Sequence, residues 1–251
     1  MIRYPDYCEG CDFDRPESRD GSNFLLAALP YSDWKTLARQ LELVPLRGAQ
    51  LLYETGGPTR FAYFPTTAIL SLVHLMQDGA ATEVASVGRE GMVGGAILSG
   101  GETLPMHVQV QSPGWAYRIR AAELGFHFAR SDGVASVLLQ YGQLLFTQIA
   151  QVAACYRCHG LSAQLCRWLL LNSDRLQSER LLFTQQVIAD ALGVRRERVS
   201  NTLRMLDKTG LIRQGRRRID MLDRPGLEAH SCECYAILKR GLDRSLPRTA
   251  R

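Results

Sequence analysis

The sequence predicts an α+β chain: an antiparallel β domain, one long helix, and a compact basic domain at the C-terminal end. Three observations lead there. From Val44 to Ile119, short apolar runs alternate with glycine turns. From Ser131 to Cys158 there is no proline, and apolar residues recur at helical spacing. Charge is also divided unevenly. Residues 1–154 carry 11 Lys+Arg against 15 Asp+Glu, a net of −4, whereas residues 155–251 carry 19 against 10, a net of +9. An acidic front and a basic back suggest that only the back meets a polyanion.

The 251 residues allow two modest domains, each with its own core. We divide the chain into a flexible leader (1–22), a β domain (23–130), a dimerisation helix (131–159), a basic domain (160–230) and a C-terminal extension (231–251). The leader is polar and acidic, with no apolar stretch resembling a signal peptide. No run approaches the ~20 apolar residues of a membrane span. A cytoplasmic location and no membrane partner are therefore expected.

A first helix is expected from Asn23 to about Leu43, with Leu25, Leu26, Leu29, Trp34, Leu37 and Leu41 on its apolar side and Pro30 interrupting it. Strands follow at Phe61–Phe64, Ile69–Leu75, Thr82–Val87, His107–Val110 and Trp115–Ile119. Their glycine-rich connections suit an antiparallel barrel or sandwich.

Next comes a seam on the helix 131–159. Val134, Leu138, Tyr141, Leu145, Gln148, Val152 and Cys155 repeat at alternating spacings of four and three, as a coiled coil does. A helix packed on its own β domain could carry the same pattern. Its place between a β domain and a basic domain favours self-pairing, so these seven positions are the expected homodimer interface. Gly160 breaks the helix, and another is expected from about Ser162 to Leu171.

The strongest signal runs from Thr184 to Leu206. Thr184 can cap a helix through its hydroxyl. Ala189 is small where a second helix would cross, and Gly193 permits a left-handed turn. Ile188, Leu192, Val194, Val199 and Leu203 would form the shared core. That leaves Arg195, Arg196, Glu197, Arg198, Ser200, Asn201 and Arg204 facing outward, the inventory of a helix that reads base edges. Arg can grip guanine, Glu can accept from cytosine, and Asn can pair with adenine. Gly210 ends this helix. Leu211-Ile212, the turn Gln214-Gly215-Arg216-Arg217-Arg218, and Ile219 to Leu222 then form a hairpin wing suited to phosphates. The expected partner is double-stranded DNA.

With these residues in view, the chain resembles the family of the cyclic AMP receptor protein and the fumarate and nitrate reduction regulator. The likeness covers about residues 24–222. It is most specific at Gly193-Val-Arg-Arg-Glu-Arg-Val-Ser-Asn201 with its wing, and at Tyr63-Phe-Pro and Gly91-Met-Val-Gly94. The resemblance implies a β-roll sensor of the cyclic-nucleotide-binding, jelly-roll type, a long dimer helix and a winged helix-turn-helix. It implies base contacts by Arg196 and Glu197, with Asn201 where the family often has Arg. It also implies phosphate contacts by Thr184, Gln185 and Gln186. Arg195 stands where a capping Ser is common.

Members that bind a cyclic nucleotide carry a Gly-Glu turn and, about ten residues on, an arginine that neutralises the phosphate. Here Gly95 or Ala96 takes the place of the acid and Met106-His107 that of the arginine. A lost nucleotide site is expected, leaving a small-molecule effector of another kind as an open partner. RNA polymerase is a further candidate partner, because activation would require such a contact.

The seven cysteines form no disulfide framework, but three close pairs suggest an alternative, a haem or iron–sulfur sensor. Cys8 and Cys11 are too few for a cluster. Cys155-Tyr-Arg-Cys158-His159 matches the haem c attachment pattern, which belongs to exported proteins. Cys232 and Cys234 have too few neighbouring ligands in the sequence for a closed zinc site. We therefore expect no cofactor and no metal. No nucleophile–base grouping, phosphate loop or carboxylate pair points to catalysis, so no enzyme is expected.

Overall fold

The structure is a computed structural model, and it describes residues 23–77, 81–95 and 103–245. The leader with Cys8 and Cys11, and Ala96 of the nucleotide segment, lie outside the described residues.

Asn23 accepts from the Leu26 amide through its side chain and donates to the carbonyls of Pro65 and Gly91, so it caps α1 (Phe24–Ala27) and ties it to the β domain. Pro30 cannot continue that helix, and α2 (Tyr31–Leu37) starts after it. The helix expected here, with its interruption at Pro30, is thus two short ones. A strand, β1 (Glu42–Leu46), already begins within the region read as helical. β2 (Leu51–Tyr53), β3 (Phe61–Pro65), β4 (Ile69–Leu75), β5 (Ala81–Val87), β6 (His107–Ser112) and β7 (Gly114–Arg120) follow. They pair antiparallel in two sheets, ordered β1-β7-β3 and β2-β6-β4-β5. Between them lie Phe64, Leu70, Val87, Val108, Val110 and Ile119, all buried.

Helix α3 (Ala121–Arg130) leads into α4 (Asp132–Cys158), whose N-cap Ser131 accepts from the Val134 amide. α4 does not leave its predicted seam free. Val134, Leu138 and Tyr141 are buried in the β domain's core, with Leu145 packed against it. The Tyr141 hydroxyl donates to Met92 O (2.8 Å), and Gln148 Nε2 donates to Ser86 O (3.0 Å). Gly91 must be glycine for this. A Cβ there would lie 2.3 Å from the Tyr141 ring. Val152 and Cys155 are buried as well. All seven positions read as a dimer interface therefore face their own chain. A strip at the same spacing on the other side stays exposed, carrying Leu139, Phe146, Ala150 and Ala153.

Beyond Gly160, α5 (Leu161–Leu176) supplies Leu165, Trp168, Leu169 and Leu170 to a second core. It extends past the predicted Leu171 and ends at Gln177 in a left-handed conformation (φ 50°, ψ 40°). Short β8 (Arg180–Leu181), α6 (Gln185–Leu192), α7 (Arg196–Lys208), β9 (Ile212–Gly215) and β10 (Arg218–Met221) complete the basic domain, with strand order β8-β10-β9. α8 (Arg224–His230) and α9 (Cys234–Ser245) pack on α5, and α9 also lies along α4. The two cores are joined at a buried ion pair. Arg175 Nε donates to Glu90 Oε1 (2.7 Å), while its other nitrogens donate to Ser86 Oγ (2.7 Å) and Ser86 O (2.8 Å). Among the described residues, no helix is long and apolar enough to cross a membrane.

Candidate nucleic-acid interface

The Thr184 side chain accepts from the Val187 amide and opens α6, in the manner its hydroxyl predicts. Gly193 closes that helix at φ 63°, ψ 35°, a conformation that a residue with a Cβ resists. The turn delivers α7 across α6 over fully buried Ala189, and Ile188, Leu192, Val199 and Leu203 are buried between the two helices. A side chain at Ala189 any larger would push α7 out of register with the core.

What α7 leaves outside is a charged face: Arg195, Arg196, Glu197, Arg198, Asn201 and Arg204 are exposed, and Ser200 partly so. Arg204 is preset on that face, donating to Asn201 Oδ1 (3.0 Å) and to Ser200 Oγ (3.0 Å). Arg195 holds the N-cap position without a side-chain cap, so the first-turn amides of α7 have no side-chain acceptor there.

β9 and β10 form the wing. Arg216 and Arg217 lie at its tip, Arg217 with φ 56°. Arg218, expected to act with them, lies instead in β10 and pairs with Asp220 (2.7 Å). Asp220 also takes Arg180 (3.2 Å), so part of the wing's charge is neutralised within the chain. Between the wing, the N-terminus of α6 and the start of α7 is a cleft of about 390 Å³, lined by Thr184, Gln185, Gln186, Arg196, Arg216 and Arg217 among others. Gln185 Nε2 contacts Gln214 Oε1 across it (3.4 Å), a wing residue absent from the expected set. Gln186 Nε2 donates to Asp190 Oδ1 (2.8 Å), and burial pushes the Asp190 carboxyl up from its ordinary range. The cleft is concave, cationic and open at a helix N-terminus, as a phosphodiester backbone requires.

The nucleotide segment has a different character. Met92 and Val93 are buried, and Tyr141 fills the space over Gly91. Met106 and His107 stand where an arginine would neutralise a cyclic phosphate, and Glu90 is committed to Arg175. Buried Glu83 accepts from Ser71 Oγ (2.6 Å) and from Gln111, and its carboxyl is pushed up by burial.

Among the described residues, one group has metal-ligating geometry, and it lies away from the DNA-facing cleft. Cys155, His159, Cys232 and Cys234 converge, with their ligand atoms all within 4.8 Å of one another. This corrects the expectation that Cys232 and Cys234 lack neighbouring ligands. The missing pair comes from α4, 77 residues earlier for the Cys155–Cys232 contact. Cys155 Sγ lies 3.5 Å from Cys232 Sγ, and this contact holds the Cys232 thiol below its ordinary range. Cys158 is exposed and stands outside this group, while Cys155 is fully buried.

A winged helix-turn-helix of this geometry is a DNA-binding module. Residues 163–230 match the Crp-like helix-turn-helix domain family. The chain as a whole shares its fold with solved Crp/Fnr regulators. A CRP/FNR-family transcriptional regulator from Thermus thermophilus superposes with a TM-score of 0.63 at 20% identity, over 76% of this chain and 98% of that one. FixK2 of Bradyrhizobium japonicum gives 0.65 at 18% identity, over 76% and 98%. The c-di-GMP-responsive global regulator CLP of Xanthomonas campestris gives 0.63 at 14% identity, over 77% and 100%. No curated protein matches the chain. The C-terminal part is thus a Crp-like helix-turn-helix domain, carried in a chain with the Crp/Fnr fold.

Proposed function

We propose that the protein is a sequence-specific transcription regulator that binds an inverted-repeat DNA site as a homodimer. The observation that carries this reading is the cationic cleft between α6, α7 and the wing within a matched Crp-like domain. Arg196, Glu197 and Asn201 read bases, with Arg195, Arg198, Ser200 and Arg204 beside them. Thr184, Gln185, Gln186, Arg216 and Arg217 hold the backbone, and Arg218 contributes less because Asp220 offsets it.

The dimer forms through the exposed strip of α4, around Leu139 and Phe146, in place of the seam the sequence suggested. Large apolar side chains at this spacing on a long helix make a coiled-coil interface when a second copy covers them. Two-fold symmetry would then place the two recognition helices about 34 Å apart, in successive major grooves. The effector is not a cyclic nucleotide, given the residues around Gly91.

Selection of the reduced, full-length protein against a randomised duplex pool at near-physiological salt tests this. Recovery of an inverted repeat is the expected outcome. A pool with no enriched motif, from a protein that light scattering shows to be a folded dimer, would overturn sequence-specific binding by the unliganded chain.

A further inference from the structure

We propose that Cys155, His159, Cys232 and Cys234 form a structural zinc(II) site that clamps the C-terminal helix α9 onto the end of α4. Cys155 lies in the last turn of α4 and His159 is its C-cap, four residues on, with its ring brought to the same point. Cys232 and Cys234 flank the start of α9 and alternate toward the same point. Cys155 Sγ lies 3.5 Å from Cys232 Sγ, and Cys234 Sγ lies 3.6 Å from His159 Nδ1. In a tetrahedron with Zn–S of about 2.3 Å and Zn–N of about 2.0 Å, ligand atoms stand roughly 3.5–3.8 Å apart. These two contacts already have that spacing, and the remaining pairs, all within 4.8 Å, would draw inward to close around one ion.

The surroundings argue independently for a metal. A ligating histidine usually gives its far nitrogen to a carboxylate, which fixes the ring and its tautomer. Here His159 Nε2 is 3.1 Å from Glu233 Oε2, leaving Nδ1 turned to the thiols. Gln151 Nε2 donates to Cys234 Sγ (3.0 Å), as a donor to a thiolate would. Gln164 Nε2 donates to the His159 carbonyl (2.7 Å), holding the last turn of α4 in place. The three cysteines are buried in a small cluster apart from both large cores, so apolar packing alone gives little reason for them. Three thiolates and one imidazole at tetrahedral spacing select zinc among common divalent ions, and binding would release the thiol protons to solvent.

The clamp stands beside Gly160, where the helix packed on the β domain turns into α5 of the DNA-facing domain. Its ion would therefore fix the chain's corner between the two, beside the Arg175–Glu90 contact that also joins them.

Elemental analysis of the anaerobically purified, full-length chain is expected to find about one zinc per chain, retained through gel filtration. Cobalt(II) exchanged into the protein should give the intense visible bands of a tetrahedral thiolate site and a near-ultraviolet sulfur-to-metal band. Cys234→Ser should lose the ion, and exposed Cys158→Ser should keep it. Because the cobalt spectrum is read on the unaltered chain, a misfolded variant cannot obscure the result. A metal-free protein that shows no tetrahedral cobalt bands would overturn the proposal. So would a Cys155–Cys232 disulfide in the freshly isolated protein, or iron with sulfide-cluster absorbance.

Discussion

The DNA-facing module and helix α4 are equally periodic in sequence, yet only one keeps the partners its pattern suggests. In the module, the core residues Ile188, Leu192, Val199 and Leu203 lie close along the chain and bury one another across a single turn. In α4, Tyr141 is held by Met92, Gln148 by Ser86 and Cys155 by Cys232, with sequence separations of 49, 62 and 77 residues. A local motif carries its own partners. A long helix carries only the demand for a partner, and heptad spacing does not say whether that partner is the same chain or a second copy. α4 carries one apolar strip buried against its own chain and another left exposed.

The sharpest way to break this comparison is at the junction of the two regions. Arg175 is buried and holds Glu90. Arg175→Ala would leave Glu90 buried without its cation, a change that costs about 3–5 kcal/mol. We expect a large loss of stability in denaturant unfolding, together with loss of the docking between domains. Replacing both partners, Glu90→Gln with Arg175→Met, should recover most of it, because no charge is then left buried. A single mutant as stable as the parent would show that the junction is not what joins the regions.

Next in size is the contrast between the two strips of α4. Leu138→Ala should destabilise by about 2–5 kcal/mol, as expected for truncation in a packed core, with the dimer intact by light scattering in the molecules that remain folded. Phe146→Lys removes an exposed ring and should leave the unfolding curve of the folded unit nearly unmoved while yielding monomers. If Leu138→Ala gave folded monomers and Phe146→Lys left dimers, the seam suggested by the sequence would be restored.

Within the DNA-facing module, Arg196→Ala should remove about 1–3 kcal/mol of discrimination at one base pair per half-site, read as relaxed preference there in a repeated selection. An unchanged selected motif would move the reading role to another residue of α7.

The same distinction explains what the sequence revealed. The strands from Phe61 to Arg120 were legible because glycine turns punctuate alternating runs, and the structure has β3 to β7 close to those places. β1 was missed because Glu42–Leu46 contains Pro45 and continues a helical-looking run. Its identity as a strand depends on pairing with β7, from Glu42 with Arg118 to Leu46 with Gly114, far along the chain. The fold of the α6–α7 turn was readable down to Thr184 and Gly193. The role of Arg218 was not, because Asp220 neutralises it only once the hairpin forms. The cysteine cluster was illegible for the same reason as the α4 seam. Neither half signals a site alone, and only the docking of α9 on α4 unites them.

The smallest expected effect is the most direct check of how the wing deploys its charge. Arg217 sits at the tip, whereas Arg218 is paired with Asp220 in the strand behind it. A phosphate contact adds about 0.9 to the slope of log K against log salt, because each neutralised phosphate releases condensed counterions. Arg217→Ala should therefore weaken binding to all sequences roughly alike and lower that slope by about one per wing. Arg218→Ala removes a cation already offset by Asp220, so its slope should change less. The variant also leaves Asp220 with Arg180 as its remaining partner, so a small loss of affinity could come from the freed carboxylate repelling the duplex. Asp220→Asn separates the two effects. If Arg218 is held in reserve by its carboxylate, neutralising Asp220 should raise affinity and steepen the salt slope. If the slope falls in Arg218→Ala as far as in Arg217→Ala, the ion pair opens on DNA and all three wing arginines act on phosphates, as the sequence alone suggested.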